Sequence, residues 1–322
     1  MATSHYDHFA DLTGGLVPVQ GVDVTCLSMP VEEIFHRFTS YREWDISEMS
    51  FAKFSAVAAR DDCDITAIPV FPSRVFRQSS IFVRADSSLR EAERLVGRKV
   101  GIPEWAQTAA VYTRGWLMHD LNIELADIEW YQAGVNAPGR REKVALRLPP
   151  GVTCTPVPEK SLTEMLIGGE LDAVFSAHPP LPFEQRSGEI RQLFDDPKSV
   201  EREYYLRTGI FPIMHVIAIR KEVLDRHPWV AMNLMKAFME ARARSLLRAR
   251  ELTASRFPIA WGQDSFSETC ELFGTSPFPY GVEANRNTLE AFLLFCREQG
   301  VCERQLTPEE LFPAEVRTHY VV

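Results

Sequence analysis

The chain has 322 residues and carries 35 lysines and arginines against 44 aspartates and glutamates, a formal net charge of −9. At roughly 150 residues per domain, this length predicts two domains, and 45% hydrophobic residues is ordinary globular composition. A chain this acidic lacks the positive surface that a general nucleic-acid binder or a binder of anionic membranes needs. If the ligand is a small anion, positive charge must be gathered locally.

The first residues, Met1 to His8, contain neither a basic nor an apolar segment, and no apolar run is long enough to span a membrane. The six cysteines form no C-x-x-C pair, which is typical of reduced thiols rather than of a disulfide or zinc framework. No glycine-rich phosphate loop occurs. We therefore expect a cytoplasmic protein with no metal site and no cofactor, either monomeric or homo-oligomeric.

Short β-rich apolar runs alternate with helical patterns, which indicates an α/β fold. Strands are predicted at Val22–Leu27, Asp64–Val70, Ser80–Arg84, Lys99–Ile102, Ile128–Tyr131, Ala173–Ser176 and His215–Arg220. Helices are predicted at Val31–Thr39, Ser50–Arg60, Thr108–His119, Ser161–Gly168, Pro228–Leu252 and Thr288–Gln299. On the helix over 228–252 we expect Arg242 and Arg244 to lie on a solvated face, with Glu240 and Arg244 spaced for an ion pair.

Two segments, Ile81–Val100 and Gly209–Arg220, look like places where the chain passes from one lobe to another. A middle lobe inserted into an outer lobe would explain both passages. The outer lobe, lobe I, is then formed by residues 1–97 and 214–322, and the inserted lobe, lobe II, by residues 98–213. Two α/β lobes joined by paired crossings form a clamp. Its ligand would bind in the central cleft, outside the carboxyl ends of the strands.

The segment PVFPSRVFR follows a predicted strand and places Ser73, Arg74 and Arg77 at its carboxyl end. Guanidinium groups suit bidentate binding of carboxylates, so this segment is a candidate anion site. The alternative is that both arginines are solvated and paired with the aspartates at positions 61, 62 and 64.

Two strand-to-helix transitions are further candidates, one with Glu104 and Thr108 and the other with Ser50. A helix N-terminus with free N–H groups and a hydroxyl can bind an anion, although Thr108 and Ser50 can also serve simply as helix caps. A carboxylate beside such a site, here Glu104, is expected to have a raised pKa and to act as an acid. Asp45 and Glu48 are expected to orient neighbouring arginines.

Histidines complete the set of candidates. His215 lies on the second predicted crossing, where it would be a proton donor near neutral pH, and His178 follows another strand end. A lone histidine is more often structural, which is the alternative for both. His5 and His8 lack further ligands at metal spacing.

Long strings of this sequence resemble the 4,5-dihydroxyphthalate decarboxylase family over nearly the whole chain. The most specific are PVEEIFHRF (30–38), DISEMSF (45–51), IPVFPSRVFR (68–77), VGIPEWAQT (100–108), TGIFPIMH (208–215) and PYGVEANR (279–286). The family looks related to type 2 periplasmic solute-binding proteins, so the resemblance implies an α/β two-lobed clamp of that type. His8 and His178 stand where the family pattern has arginine, which leaves the exact acid open because histidine is not a fixed charge.

The resemblance implies a cofactor-independent decarboxylase, a carboxy-lyase that converts 4,5-dihydroxyphthalate to 3,4-dihydroxybenzoate and carbon dioxide. Such chemistry needs cations for the carboxylates, an acceptor for the ring hydroxyl, an acid for the ring carbon, and a pocket that excludes water. We expect His215 to be the proton donor, with Glu104 as acid or as hydroxyl acceptor. The expected substrate-binding residues are Arg74, Arg77, Ser73, Ser50, Thr108, His178, His8, Phe71, Trp105 and Phe211. The alternative is a non-catalytic solute-binding protein for a small aromatic or carboxylate ligand.

Overall fold

The computed structural model describes residues 1–318 and contains two β-sheets. In chain order the strands are β1 (Ala2–Thr3), β2 (Leu27–Ser28), β3 (Ile46–Ser50), β4 (Ile65–Ile68), β5 (Ile81–Arg84), β6 (Lys99–Ile102), β7 (Glu129–Gly134), β8 (Cys154–Ser161), β9 (Ala173–Phe175), β10 (Ile190–Gln192) and β11 (His215–Arg220). The first sheet has the order β2-β1-β3-β11-β4, and the second has the order β10-β5-β9-β6-β7-β8.

Helices cover the two sheets. In chain order they are α1 (Asp7–Thr13), α2 (Val31–Tyr41), α3 (Phe51–Ala58), α4 (Thr108–Asp120), α5 (Leu162–Ile167), α6 (Leu181–Glu184), α7 (Pro197–Thr208), α8 (Lys221–Arg226), α9 (Val230–Arg250), α10 (Gly262–Phe273), α11 (Arg286–Glu298) and α12 (Pro308–Leu311). Helix α9 packs against α1, and α11 packs against both α3 and α4. Within residues 1–318, no helix is long and apolar enough to cross a membrane.

The chain changes sheet twice. Strands β5 to β10 all belong to the second sheet, and β11 returns to the first, where it pairs antiparallel with both β3 and β4. The expected α/β fold with two lobes is confirmed. The lobe boundaries predicted after residues 97 and 213 stay a prediction. Strand β5, which precedes the first of these boundaries, pairs in the second sheet through Ile81 and Phe175.

The predicted elements agree with the structure in most places. Six of the seven predicted strands and all six predicted helices are present, with ends that differ by at most three residues. The strand predicted at Val22–Leu27 is wrong, because only Leu27–Ser28 is a strand there. Its partner β1 is two residues long and offers no further backbone groups to pair with.

Strand β3 lies at the centre of the first sheet, although no apolar run in the sequence marks it as a strand. Its sequence, ISEMS, contains three polar residues, yet all five positions are buried between β1 and β11. Tertiary pairing here overrides local propensity. The consequence is that a carboxylate, Glu48, is placed inside the first sheet, where it requires hydrogen-bond partners.

One large hydrophobic core runs through both lobes and includes residues from each sheet, such as Ile68, Val100 and Ile217. A smaller core covers the other face of the second sheet and contains Leu162 and Val174. Loops at the facing edges of the two sheets are therefore held by well-packed elements, which positions the site described next.

Candidate active site

A small cavity lies between the two lobes and is here called the cleft cavity. Its walls come from α2, the β3–α3 junction and β11 on the side of the first sheet, and from the β6–α4 junction on the side of the second. It is lined by Val31, Glu32, Phe35, Ser50, Lys53, Arg77, Glu104, Gln107, Thr108, Ala109, Arg140, Ala177, His178, Met214 and His215. Six of the twelve residues predicted for the site are thereby brought together: His215, Glu104, Arg77, Ser50, Thr108 and His178.

His215 is the first residue of β11 and lies opposite Ser50, the last residue of β3, in the antiparallel pairing. Its Nδ1 lies 2.7 Å from Oε1 of Glu48, and Phe35 packs edge-on against its ring at a centroid distance of 4.9 Å. Because Nδ1 is engaged by the carboxylate, Nε2 is the ring nitrogen left to face a molecule in the cavity.

Glu48 is fully buried and is held by neighbouring donors. Its carboxylate accepts hydrogen bonds from the hydroxyls of Thr3 and Tyr6 and from the backbone N–H of Ser4. Burial by itself would raise the pKa of Glu48, but the hydrogen bond and charge of His215, with the bond from Ser4, hold it below its ordinary value. The expectation that Glu48 orients an arginine is wrong, since its ionic partner is a histidine.

Arg77 lines the cleft cavity and is only 9% exposed. Its Nε donates to the sulfur of Met214 at 3.1 Å, and its Nη1 lies 3.4 Å from the hydroxyl of Ser80. Within residues 1–318 it forms no ion pair with a carboxylate, and burial lowers its pKa to about 10. A buried guanidinium without a counter-ion is costly unless an anion completes it, so Arg77 is suited to bind a carboxylate from the ligand.

Glu104 is 1% exposed and is surrounded by cations. Lys53 Nζ lies 2.7 Å from its Oε2, Arg140 Nη2 lies 2.8 Å from Oε1, and Lys143 Nζ lies 3.7 Å away. Burial would raise the pKa of Glu104, but the charges of Lys53 and Arg140 outweigh it and lower the pKa. The raised pKa expected for Glu104 is therefore wrong; the group is ionised and accepts rather than donates protons.

Removing this carboxylate should destabilise the fold. Glu104→Gln leaves the ammonium of Lys53, 8% exposed, without its counter-ion, and we expect a loss of about 3 kcal/mol in the free energy of unfolding. Glu170→Gln is the matched control, because Glu170 pairs with Lys160 at the exposed surface and should change stability by less than about 0.5 kcal/mol. Urea denaturation measures both, and equal effects of the two substitutions would contradict the prediction.

Ser50 and Thr108 join the two lobes at the cleft. Their hydroxyl oxygens lie 3.0 Å apart, and the Thr108 oxygen also accepts a hydrogen bond from the backbone N–H of Ala52, likewise at 3.0 Å. Thr108 therefore links the start of its own helix to the start of α3; it is not a helix cap, because the N-cap position of α4 is Gln107.

His178 and Glu32 form a second link across the cleft. His178 Nε2 makes a short hydrogen bond with Oε1 of Glu32, and both side chains are about half exposed. This bond raises the pKa of His178, and it lowers the pKa of Glu32 to about 2. His178 thus occupies the cleft, as predicted, but its partner is a protein carboxylate.

The His178–Glu32 link should depend on pH. Because the pKa of His178 is raised, the link contributes fully to stability below pH 6.5, the ordinary pKa of histidine. Its contribution is lost as the pH rises through the raised pKa of His178. With a lowered carboxylate pKa, it is also lost as the pH falls below 4.5 towards 2. We expect Glu32→Gln to cost under about 1 kcal/mol near pH 5.5 and less near pH 8.5. Thermal unfolding at the two pH values measures this, and an equal cost at both would refute it.

Arg74 and Phe211 lie outside the cleft cavity, in a larger second cavity here called the Arg74–Arg242 cavity. Arg74 is 6% exposed and donates to the carbonyl oxygens of Phe211 and Pro279 at 3.1 and 2.9 Å. The structure thus separates the two arginines that the sequence suggested would act together. Arg77 lines the cleft and Arg74 does not.

Four other predicted residues also lie outside the cleft cavity. Phe71 and Trp105 are buried in the core, and the carbonyl oxygen of Ser73 accepts the N–H of Met214 in the second crossing. His8 packs among aromatic rings, and burial lowers its pKa to about 4. It is therefore neutral at pH 7 and does not replace the charge of an arginine.

Lys53 and Arg140 line the cleft cavity although no motif predicts them. The sequence does contain a signal for Lys53, since it is the only charged residue in the largely apolar helix FAKFSAVA. Arg140 belongs to a run of charged residues that resembles a solvated loop. Within the part of the chain that the structure describes, no three His, Cys, Asp or Glu side chains are grouped for metal binding.

Solved structures similar to this chain define its class. The periplasmic sulfonate-binding protein SsuA of Methylobacillus flagellatus has a TM-score of 0.52 at 12% identity, over 96% of this chain and 86% of that protein. The periplasmic aliphatic sulphonate-binding protein SsuA of Escherichia coli has a TM-score of 0.51 at 12% identity, over 95% and 92%. The fold is that of a two-lobed periplasmic solute-binding protein, as predicted.

Two curated relatives show the family of the chain. A 4,5-dihydroxyphthalate decarboxylase of Comamonas testosteroni is 34% identical over 99% of this chain and 97% of the relative. One of Pseudomonas putida is 35% identical over 64% of this chain and 80% of the relative. No protein-family model matches the chain. The chain belongs to the 4,5-dihydroxyphthalate decarboxylase family, a family of carboxy-lyases, and the resemblance inferred from its sequence is confirmed.

Proposed function

We propose that this protein removes carbon dioxide from a hydroxylated aromatic acid in the cleft cavity, with 4,5-dihydroxyphthalate as the substrate. The observation that carries the proposal is the presence of two groups in one cavity. One is the buried guanidinium of Arg77, which contacts no carboxylate within residues 1–318, and the other is His215, oriented by the buried carboxylate of Glu48. Membership of a decarboxylase family supports the same reaction.

In the proposed reaction His215 protonates the ring carbon that bears the departing carboxylate. The proton on Nε2 forms the new C–H bond, and the hydroxyl para to that carbon donates electron density into the ring. The bond between the ring and the carboxylate then breaks, its electron pair restores the aromatic ring, and carbon dioxide leaves. Solvent returns one proton to His215. Glu48 stabilises the charged imidazole before transfer.

Arg77 holds the carboxylate that stays on the ring, in a bidentate contact that its free guanidinium atoms allow. Glu104, ionised and held by Lys53 and Arg140, accepts a hydrogen bond from a ring hydroxyl and strengthens it as an electron donor. The departing carboxylate lies near Phe35, where exclusion of water favours the loss of its charge.

The lobes must separate for the substrate to enter. The free volume of the cleft cavity is about 80 Å³. A cavity of roughly 150 Å³ is needed for benzene alone. Opening breaks the Ser50–Thr108, Lys53–Glu104 and Glu32–His178 contacts, and closure around the substrate then excludes water.

Incubation of the purified protein with 4,5-dihydroxyphthalate tests the proposal. We expect 3,4-dihydroxybenzoate and carbon dioxide in equal amounts, measured by chromatography and by carbon dioxide trapping. Tight binding without turnover would instead favour a solute-binding protein. A panel of hydroxylated benzoates and phthalates then ranks the acids, because His8 and His178 replace the arginines of the family pattern.

We further propose that the reaction takes place in the cytoplasm and requires no metal or other cofactor. All six cysteines are free thiols in the structure, which suits a reducing compartment. Cell fractionation and exhaustive dialysis against a chelator test the two statements separately.

A further inference from the structure

The Arg74–Arg242 cavity has the size and the lining of a binding site. Its volume is about 440 Å³, within the range of small-molecule pockets. It lies among α7, α9, α10 and the start of α11, and it shares no lining residue with the cleft cavity. The two cavities are therefore separate sites.

Two guanidinium groups line this cavity, and no aspartate or glutamate does. Arg74 is 6% exposed and donates only to neutral oxygens: the carbonyls of Phe211 and Pro279 and the amide of Asn285. Burial lowers the pKa of Arg74, and the charge of Arg242 acts in the same direction. Within residues 1–318 neither of these two like charges pairs with a carboxylate, and an anionic ligand would supply the missing counter-ion.

Arg242 is also held by neutral groups. Its Nε donates to the carbonyl of Phe278 at 2.8 Å, and its Nη2 donates to the hydroxyl of Ser276 at 2.5 Å. It pairs with no carboxylate within residues 1–318, whereas Arg244 on the same helix pairs with Glu240, as predicted. The expectation that Arg242 lies on a solvated face is wrong, because it is half buried and lines a cavity.

The remaining wall is aromatic. The rings of Phe211 and Phe273 lie 4.6 Å apart, and those of Tyr205 and Phe273 lie 4.5 Å apart. We propose that this cavity binds an aromatic carboxylate, with its carboxylate at Arg74 and Arg242 and its ring against Phe211, Phe273 and Tyr205. The site is additional to the proposed active site, and its occupancy does not depend on the decarboxylation reaction.

Benzoate is the probe. It is titrated into the Arg77→Met protein, in which the cleft cavity has lost its guanidinium, so that binding at the second cavity is measured. We expect calorimetric titration of this variant to show one bound benzoate per chain. Adding Ala284→Trp, at an exposed position on the rim of the cavity, should abolish binding by filling the entrance, whereas Ala284→Ser should leave it unchanged. Arg242→Gln should weaken binding about tenfold or more.

No benzoate binding in the Arg77→Met protein, or full binding after addition of Ala284→Trp, would overturn the proposal. Sulfate binding as tightly as benzoate would overturn its aromatic part. Thermal unfolding shows whether each variant is folded. If Arg242→Gln does not fold, the comparison of Ala284→Trp with Ala284→Ser still tests the cavity. A protein that binds benzoate here but releases no carbon dioxide from 4,5-dihydroxyphthalate would support this inference while refuting the proposed function.

Discussion

Replacing His215 with asparagine is expected to lower kcat for decarboxylation by about 10²–10⁴-fold, the usual contribution of a general acid. Asparagine keeps polar atoms near Glu48 but has no titrating proton to give to the ring carbon. Because the carboxylate of the substrate is held by Arg77, KM should change little. Steady-state kinetics with 4,5-dihydroxyphthalate measure both constants.

His119→Asn is the matched control for this substitution. His119 also pairs with a carboxylate, Glu298, at 2.6 Å, but at the surface and outside the cleft cavity. We expect its kcat to equal that of the unmodified protein. A His215→Asn enzyme with full activity would remove His215 from the reaction. Glu48→Gln adds a separate readout, since the neutral amide no longer stabilises the charged imidazole, and kcat should fall while KM stays near its original value.

Replacing Arg77 with methionine is expected to raise KM by about 10²–10³-fold, because a bidentate charged contact with the retained carboxylate is lost. Stability should be unchanged or higher. Methionine removes a buried charge that forms no contact ion pair within residues 1–318, Glu201 acting on it only from a distance.

Arg114→Met distinguishes this effect from the general loss of a buried arginine. Arg114 is fully buried, but it donates to Gln299 and to the carbonyl of Trp105, at 2.8 and 2.6 Å. Its removal should lower stability and leave KM near its original value. Substrate titration and urea denaturation of both variants give the comparison, and a large KM increase in Arg114→Met alone would contradict the assignment of Arg77.

The sequence predicts those parts of the fold that depend on local pattern. The strand at 215–220 is a short apolar run rich in β-branched residues, and the helix at 108–120 follows a strand end and a short loop; both are where expected. For strand β3 the sequence predicts only the strand-to-helix transition at Ser50 and not the burial of all five residues. Its burial depends on pairing with β11, which lies some 165 residues further along the chain, as the register of Ser50 with His215 shows.

The same limit applies to the site. Arg77 follows the end of strand β4, so its place in the cleft follows from a general rule of α/β folds. His215 instead begins β11 and reaches the cleft because antiparallel pairing sets it opposite Ser50, the last residue of β3. Arg74 is three residues from Arg77, yet it turns towards Phe211 and Asn285, which sequence spacing does not reveal. The ion cluster around Glu104 depends on Lys53, a residue from the other lobe, and the lowered pKa follows from that contact.

A net charge of −9 is compatible with an anionic ligand because each of the two cavities is lined by more cationic than anionic side chains. Lys53, Arg77 and Arg140 line one of them, and Arg74 and Arg242 line the other. Much of the negative charge is paired at exposed surfaces, where Asp and Glu are solvated and contribute little to either cavity.

A crystal structure of the His215→Asn protein with 4,5-dihydroxyphthalate tests most directly which cavity is the active site. We predict electron density for the intact acid in an opened cleft, with one carboxylate against Arg77 and a ring hydroxyl near Glu104. Density for the acid only in the Arg74–Arg242 cavity, with the cleft empty, would contradict the account.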